Sequence, residues 1–253
     1  MATTISIIAQ KGGVGKTTVS LHLGASFASM KKKVLLVDFD SQRNLSTGID
    51  IEKDYDYTIY NFLQDKGSFQ LEAIDKYLFV LAGDKRLKDL DLKPLDLKSR
   101  LEVIDNHFKF DYIILDCPPE PITKKINLGK VALLASDYVL SPFVADMYSS
   151  DGIMELLPEI TKIKQTLNPK LEFLGFFFNK VDERERKFKK YHALATQQAG
   201  KYFFKSFIRQ DMAFYDAMEN GETVFQFNPK GRGAEDLKKL SKEIIKKIKE
   251  YEG

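Results

Sequence analysis

Short, uninterrupted apolar runs alternate with longer amphipathic stretches along almost the whole chain. Ile5-Ser6-Ile7-Ile8-Ala9, Val34-Leu35-Leu36-Val37 and Tyr112-Ile113-Ile114-Leu115 are rich in β-branched residues. Tyr77-Leu78-Phe79-Val80-Leu81, Tyr138-Val139-Leu140 and residues 171–178 are similar, and Gly, Asp, Pro or Asn bounds each run. Runs of this kind predict buried strands. Their continuous apolarity, without strict alternation, suits a parallel sheet covered on both faces. Between them, residues 16–30, 97–108, 122–136, 149–166, 184–200 and 233–251 have helical length. The alternation predicts an α/β fold: three layers, doubly wound, with a mostly parallel sheet. Residues 48–98 are the least regular part and read as loops and short helices. No repeat, low-complexity tract or dividing linker interrupts the chain, so residues 1–253 read as one domain.

Composition narrows the class. The 253 residues are ample for a sizeable core. The one cysteine, Cys117, leaves no internal disulfide, as in a reduced, cytoplasmic protein. No run approaches the ~18 uncharged apolar residues of a spanning helix, and no cleavable leader is recognisable. A net charge of +3 is too small to indicate a nucleic-acid partner by itself, so any basic surface must be local.

The strongest chemical signal is Gln10-Lys11-Gly12-Gly13-Val14-Gly15-Lys16-Thr17-Thr18, which follows the first strand and opens the first helix. That is the context of a phosphate-binding loop. Glycines let backbone N–H groups turn inward around an anion, and the helix adds its free N–H groups and positive dipole end. Lys16 is placed for β- and γ-phosphates and the Thr17 hydroxyl for Mg²⁺. Two further strands end in carboxylates, at Asp38 and Asp40 and at Asp116. The carboxyl ends of parallel strands are where open α/β sheets bind ligands. A carboxylate there can hold Mg²⁺ through its water or orient an attacking water; the same residues also serve as turn caps.

The loop departs from the general G-x-x-x-x-G-K-[ST] pattern, with Gln10 at the first glycine position and Lys11 before the glycine pair. Here the chain resembles the deviant Walker A ATPases, the family of ParA and Soj partition proteins, MinD and the nitrogenase iron protein. Lys11 to Thr17 meet that family's K-G-G-x-G-K-[ST] pattern. The resemblance implies ATP and Mg²⁺ as cofactors and a homodimer with ATP sandwiched, in which Lys11 reaches the partner's nucleotide. It implies that Asp40 positions the hydrolytic water, that Asp116 holds a Mg²⁺-bound water, and that Asp38 supports the switch loop. Asn179 and Pro229 resemble adenine-contacting positions, though Asn and Pro are also common turn formers. Residues 225–234 resemble the partition branch's C-terminal signature. Ser41 and Arg43 stand where that branch often has Pro and Gly, and Glu120-Pro121 where Ser-Leu is more usual.

Three outputs compete. A metal-cluster reductase needs two thiolates per subunit, and the single cysteine rejects it. A membrane-surface ATPase of the MinD type would use the last helix, where Leu237, Leu240, Ile244, Ile245 and Ile248 lie among lysines. That face lacks Phe and Trp, and packing on the domain accounts for it better. A partition ATPase would grip DNA non-specifically through local basic residues. Lys180, Arg184, Arg186, Lys187, Lys189 and Lys190 give residues 180–192 a cationic surplus, and Arg209, Lys230 and Arg232 would extend it. Mixed charge of this kind also suits a solvated helix face. The phosphate loop begins at Gln10, which leaves no room for an N-terminal helix-turn-helix domain. Site recognition then falls to a centromere-binding or adaptor protein that stimulates hydrolysis. The expected protein is cytoplasmic and nucleoid-associated in its ATP state.

Overall fold

Among the described residues the sheet has seven strands: β1 (Thr3–Ile7), β2 (Val34–Asp38), β3 (Glu72–Ala73), β4 (Leu78–Leu81), β5 (Tyr112–Asp116), β6 (Tyr138–Phe143) and β7 (Glu172–Phe178); six are the apolar runs, and the two-residue β3 is one that the pattern does not predict. A computed structural model describes residues 1–52, 55–122, 125–145 and 149–253; of residues 149–154 and 198–199 it describes the backbone alone. The strands form one sheet in the order β3-β4-β2-β5-β1-β6-β7. All pairs are parallel except β3 with β4, a short antiparallel edge. The three-layer α/β expectation holds.

The long helices fall close to their expected bounds: α1 (Lys16–Ser29), α4 (Asp96–Phe108), α5 (Leu128–Ala135), α6 (Ser149–Thr166), α7 (Arg186–Ala199) and α10 (Arg232–Glu252). The expected 122–136 helix starts late, at Leu128, because Asn127 caps it with a side-chain bond from the Lys130 N–H; its residues 123 and 124 lie outside the described residues. Between these lie short helices: α3 (Ile59–Gln64), within the stretch read as loops and short helices, and α2 (Asn44–Thr47), α8 (Ala213–Glu219) and α9 (Val224–Phe227), which the apolar pattern does not predict. Each is too short to show a helical period in sequence.

Alternate residues of each strand feed two cores. One sheet face carries Leu35, Val37, Ile113, Leu115 and Val139 against α4 to α6. The other carries Ile5, Ile7, Leu36, Ile114 and Leu140 against α1 and α10. Because β1, β2 and β5 are neighbours in parallel register, Ile7 pairs with Asp116 and Asp38 with Asp116. The carboxylates and the phosphate loop therefore meet at the carboxyl ends of these three strands.

The last helix bears on the membrane alternative. Leu237, Leu240, Ile244 and Ile248 are at most 2% exposed, inside the core shared with α1. Its apolar side is already buried and offers no lipid-facing surface. Among the described residues, no helix is long and apolar enough to cross a membrane.

Candidate nucleotide site

Residues 10–16 turn from β1 into α1 through two left-handed glycines, Gly13 (φ 77°) and Gly15 (φ 86°). A side chain on Gly15 would stand 2.6 Å from the Asn179 amide nitrogen, whereas positions 12 and 13 face open space. The loop is thus tight towards the protein and open towards a ligand. It is held from the end of β7, where the Asn179 amide donates to the Val14 carbonyl (2.8 Å) and Lys180 Nζ donates to the Gly13 carbonyl (2.8 Å). Lys180 belongs with the phosphate loop rather than with the basic surface, a role that sequence reasoning missed. The only hint is its place directly after Asn179 at a strand end.

Lys16 is buried to 7% exposure. Burial lowers its pKa, while the nearby carboxylates Asp116 and Asp40 oppose that shift. Asp116 is fully buried and accepts from the Ser20 hydroxyl at 2.8 Å; its Oδ2 is among the described buried atoms with no hydrogen-bond partner. Burial and the neighbouring Asp38 push its pKa up to about 7, and the Ser20 and Thr17 hydroxyls pull the other way. An unsatisfied buried carboxylate oxygen beside a phosphate loop calls for a cation or a cation's water. The donor set of Thr17 and Asp116 is all oxygen, as Mg²⁺ requires. The residues fit that ion.

Asp38 does not face this site. It accepts from the Ser46 N–H (2.9 Å) and hydroxyl (2.6 Å), and its burial raises its pKa to about 6. Asp40, 5% exposed, sits in a turn: its Oδ1 accepts from the Gln42 N–H at 2.9 Å and its carbonyl from the Arg43 N–H at 3.0 Å. Cys117 is buried, and desolvation together with Asp116 pushes its thiol well above the usual range, so it is inert packing.

A cavity of about 830 Å³ opens beside Thr17 and Thr18 and is lined by Asn179, Lys180, Arg209, Gln210 and Asp211, among others. With its NH₂ engaged by the Val14 carbonyl, which can only accept, Asn179 presents its Oδ1 as an acceptor. That matches an exocyclic amino group such as adenine's. Pro229 is exposed in the turn between α9 and α10, outside the residues that line this cavity. Its turn is closed by the Gly231 N–H bond to the Asn228 carbonyl.

The basic residues divide into two groups. Arg184 forms two bonds to Asp182 (2.9 and 2.7 Å), Arg209 two to Asp236 (2.8 and 2.7 Å), and Arg232 bonds Asp211 at 3.3 Å. Those three arginines line one small cavity together with Asp182 and Glu183, so it carries little net positive charge. The Arg209 guanidinium in particular is held by a carboxylate only 4% exposed. Arg186, Lys187, Lys189 and Lys190 are exposed on α7, and among the described residues none has a carboxylate partner. Lys230 is exposed in the Pro229 turn. Lys11 is exposed at the loop's outer edge.

A phosphate loop on a doubly wound sheet, with carboxylates at adjoining strand ends, defines a P-loop ATPase. Comparison with known proteins makes the class narrower. The AAA domain family matches residues 2–173. The chain is 32% identical over 259 residues to the sporulation initiation inhibitor protein Soj of Bacillus subtilis, covering 96% of this chain and 98% of that one. It is 30% identical over 256 residues to the chromosome-partitioning ATPase Soj of Treponema pallidum, covering 97% and 98%. The fold matches cobyrinic acid a,c-diamide synthase from Mycobacterium smegmatis, solved with ADP and magnesium, with a TM-score of 0.82 at 23% identity, covering 98% and 96%. The chain belongs to the family of Soj and ParA partition ATPases.

Proposed function

We propose that the protein is a Mg²⁺-ATP-dependent partition ATPase that dimerises around ATP and binds DNA non-specifically in that state. Hydrolysis, stimulated by a centromere-binding or adaptor partner, would then release it, moving plasmid, chromosome or other cargo. The observation that carries this reading is the unpartnered Oδ2 of Asp116 beside the open phosphate loop. The loop N–H groups and Lys16 bind and orient the phosphates, and Thr17 and Asp116 hold the Mg²⁺ side. When bound, Mg²⁺ neutralises charge that develops on the β- and γ-oxygens. Asp40 orients the attacking water, and Lys11 reaches across the dimer to the partner's phosphates. Positioning by one carboxylate and a lysine supplies limited transition-state stabilisation, so basal turnover is slow. The exposed α7 cations and Lys230 support the DNA contact, and the buried apolar side of α10 argues against the MinD-like alternative. The protein would be cytoplasmic and nucleoid-associated when bound to ATP.

The test is hydrolysis and dimerisation with Mg²⁺-ATP in three variants. Asp40→Ala is expected to dimerise with strongly reduced but measurable turnover, Lys11→Ala to bind ATP as a monomer, and Lys16→Ala to bind weakly. A dimer unaffected by Lys11→Ala, or normal turnover in Asp40→Ala, would overturn those assignments.

A further inference from the structure

Arg43 is an unusual residue for its place. It is 3% exposed, carries a left-handed backbone (φ 58°), and stands at the start of α2, three residues after Asp40. A non-glycine residue in that conformation persists where surrounding contacts over-determine it. Those contacts are visible. The Arg43 N–H closes the turn on the Asp40 carbonyl at 3.0 Å. The guanidinium then donates through Nε to the Gly83 carbonyl (2.9 Å) and through Nη2 to the Glu52 carbonyl (2.7 Å). Gly83 lies just beyond β4, and its own N–H donates to the Ser46 hydroxyl at 2.8 Å, the group that also bonds Asp38. A planar, always-charged fork is well suited to bridging two fixed carbonyls, which a lysine ammonium does less well.

We propose that Arg43 is a positioning residue for hydrolysis: its guanidinium latches the Asp40 turn to the end of β4 and to the Glu52 loop. This rests on the reading of Asp40 as the water-orienting carboxylate. The turn has two anchors. Asp38 and Ser46 fix its start and the helix after it; Arg43 fixes the end of the turn itself. Without the guanidinium the Asp40 carboxylate keeps its bond from the Gln42 N–H, but the turn that carries both loses its tie to the sheet. Phosphate binding is untouched, because the latch bonds to Gly83 and Glu52 and not to residues 10–18. A glycine at position 43 would adopt the same backbone without the guanidinium, so the backbone alone does not require an arginine there.

The test compares Arg43→Gly, Arg43→Lys, Asp40→Ala and the double variant Arg43→Gly/Asp40→Ala, measuring kcat and KM for ATP together with thermal unfolding. Arg43→Gly relieves the left-handed backbone while deleting the guanidinium. It is expected to lower kcat by about 10- to 100-fold, the effect of a misplaced reacting group, with KM within about twofold. Arg43→Lys should recover part of the rate, and the double variant should be no slower than Asp40→Ala alone. Wild-type kcat in Arg43→Gly overturns the latch, as does a raised KM with unchanged kcat. A double variant slower than Asp40→Ala by the full Arg43→Gly factor overturns it too. Normal turnover in Asp40→Ala overturns the reading of Asp40 itself, and the positioning role with it.

Discussion

The Asn179 side-chain amide donates to the Val14 carbonyl at 2.8 Å, and its nitrogen lies 2.6 Å from where a β-carbon on residue 15 would stand. The end of β7 therefore sets the curvature of the phosphate loop, and the same amide borders the cavity beside it. Gly15→Ala would meet both the left-handed backbone and this contact. Strain at such a position costs on the order of 1–3 kcal/mol. The variant is expected to bind ATP roughly ten- to a hundredfold more weakly by titration calorimetry while remaining folded. Unchanged affinity would mean that the loop is not held this way.

Asp116 combines function with a stability cost. Its pKa is raised from 3.8 to about 7, so the folded state binds protons more readily than the unfolded chain, and its charge opposes folding at neutral pH. Asp116→Asn is expected to raise the stability of the nucleotide-free protein by ~1–3 kcal/mol. It should also abolish the additional stabilisation that Mg²⁺ gives in the presence of ATP. Calorimetric unfolding with ATP, with and without Mg²⁺, reads both effects.

His22 works in the opposite direction. It is fully buried in α1, with Nδ1 accepting from the Val224 N–H at 3.1 Å, and burial lowers its pKa from 6.5 to about 3. Above pH 6.5 neither state carries the proton, and the group has no pH effect. As pH falls from 6.5 towards 3 the unfolded chain takes up a proton that the fold refuses, so stability drops by up to ~1.4 kcal/mol per pH unit. Urea unfolding between pH 4 and 7 should show a shallower acid decline in His22→Gln than in the parent. Parallel curves would place the acid sensitivity elsewhere.

Six of the seven described strands and the long helices were legible because each carries a full period of apolar residues, and the phosphate loop because its pattern is dense and local; the two-residue edge strand β3 has no apolar run to read. Asp38, Asp40 and Asp116 were legible from their strand ends. What escaped depends on distance in space. Lys180 reaches Gly13, and Arg209 reaches Asp236, only because β7, the loop after Val181 and α10 come together. The short helices α2 and α8, which line the cavity, have no period to read.

The two groups of cations should separate experimentally. Arg209→Ala leaves Asp236 buried without its bidentate partner and is expected to lower stability by ~1–3 kcal/mol, with little specific effect on DNA affinity. Replacing Arg186, Lys187, Lys189 and Lys190 on α7 by Ala should leave stability within about 0.5 kcal/mol. That variant should bind DNA more weakly and lower the salt slope by roughly one for each phosphate no longer neutralised. An α7 variant with unaltered DNA binding and salt slope would remove α7 from the interface.

The central claim is that nucleotide state controls a DNA-binding surface. The most direct measurement titrates non-sequence-specific duplex DNA and anionic liposomes in parallel, each with Mg²⁺-ATP, Mg²⁺-ADP and no nucleotide, with salt varied through the DNA series. The expected result is DNA binding that requires ATP and weakens steeply with salt, and no binding to liposomes. ATP-dependent binding to liposomes alone, or DNA binding indifferent to nucleotide, would contradict it.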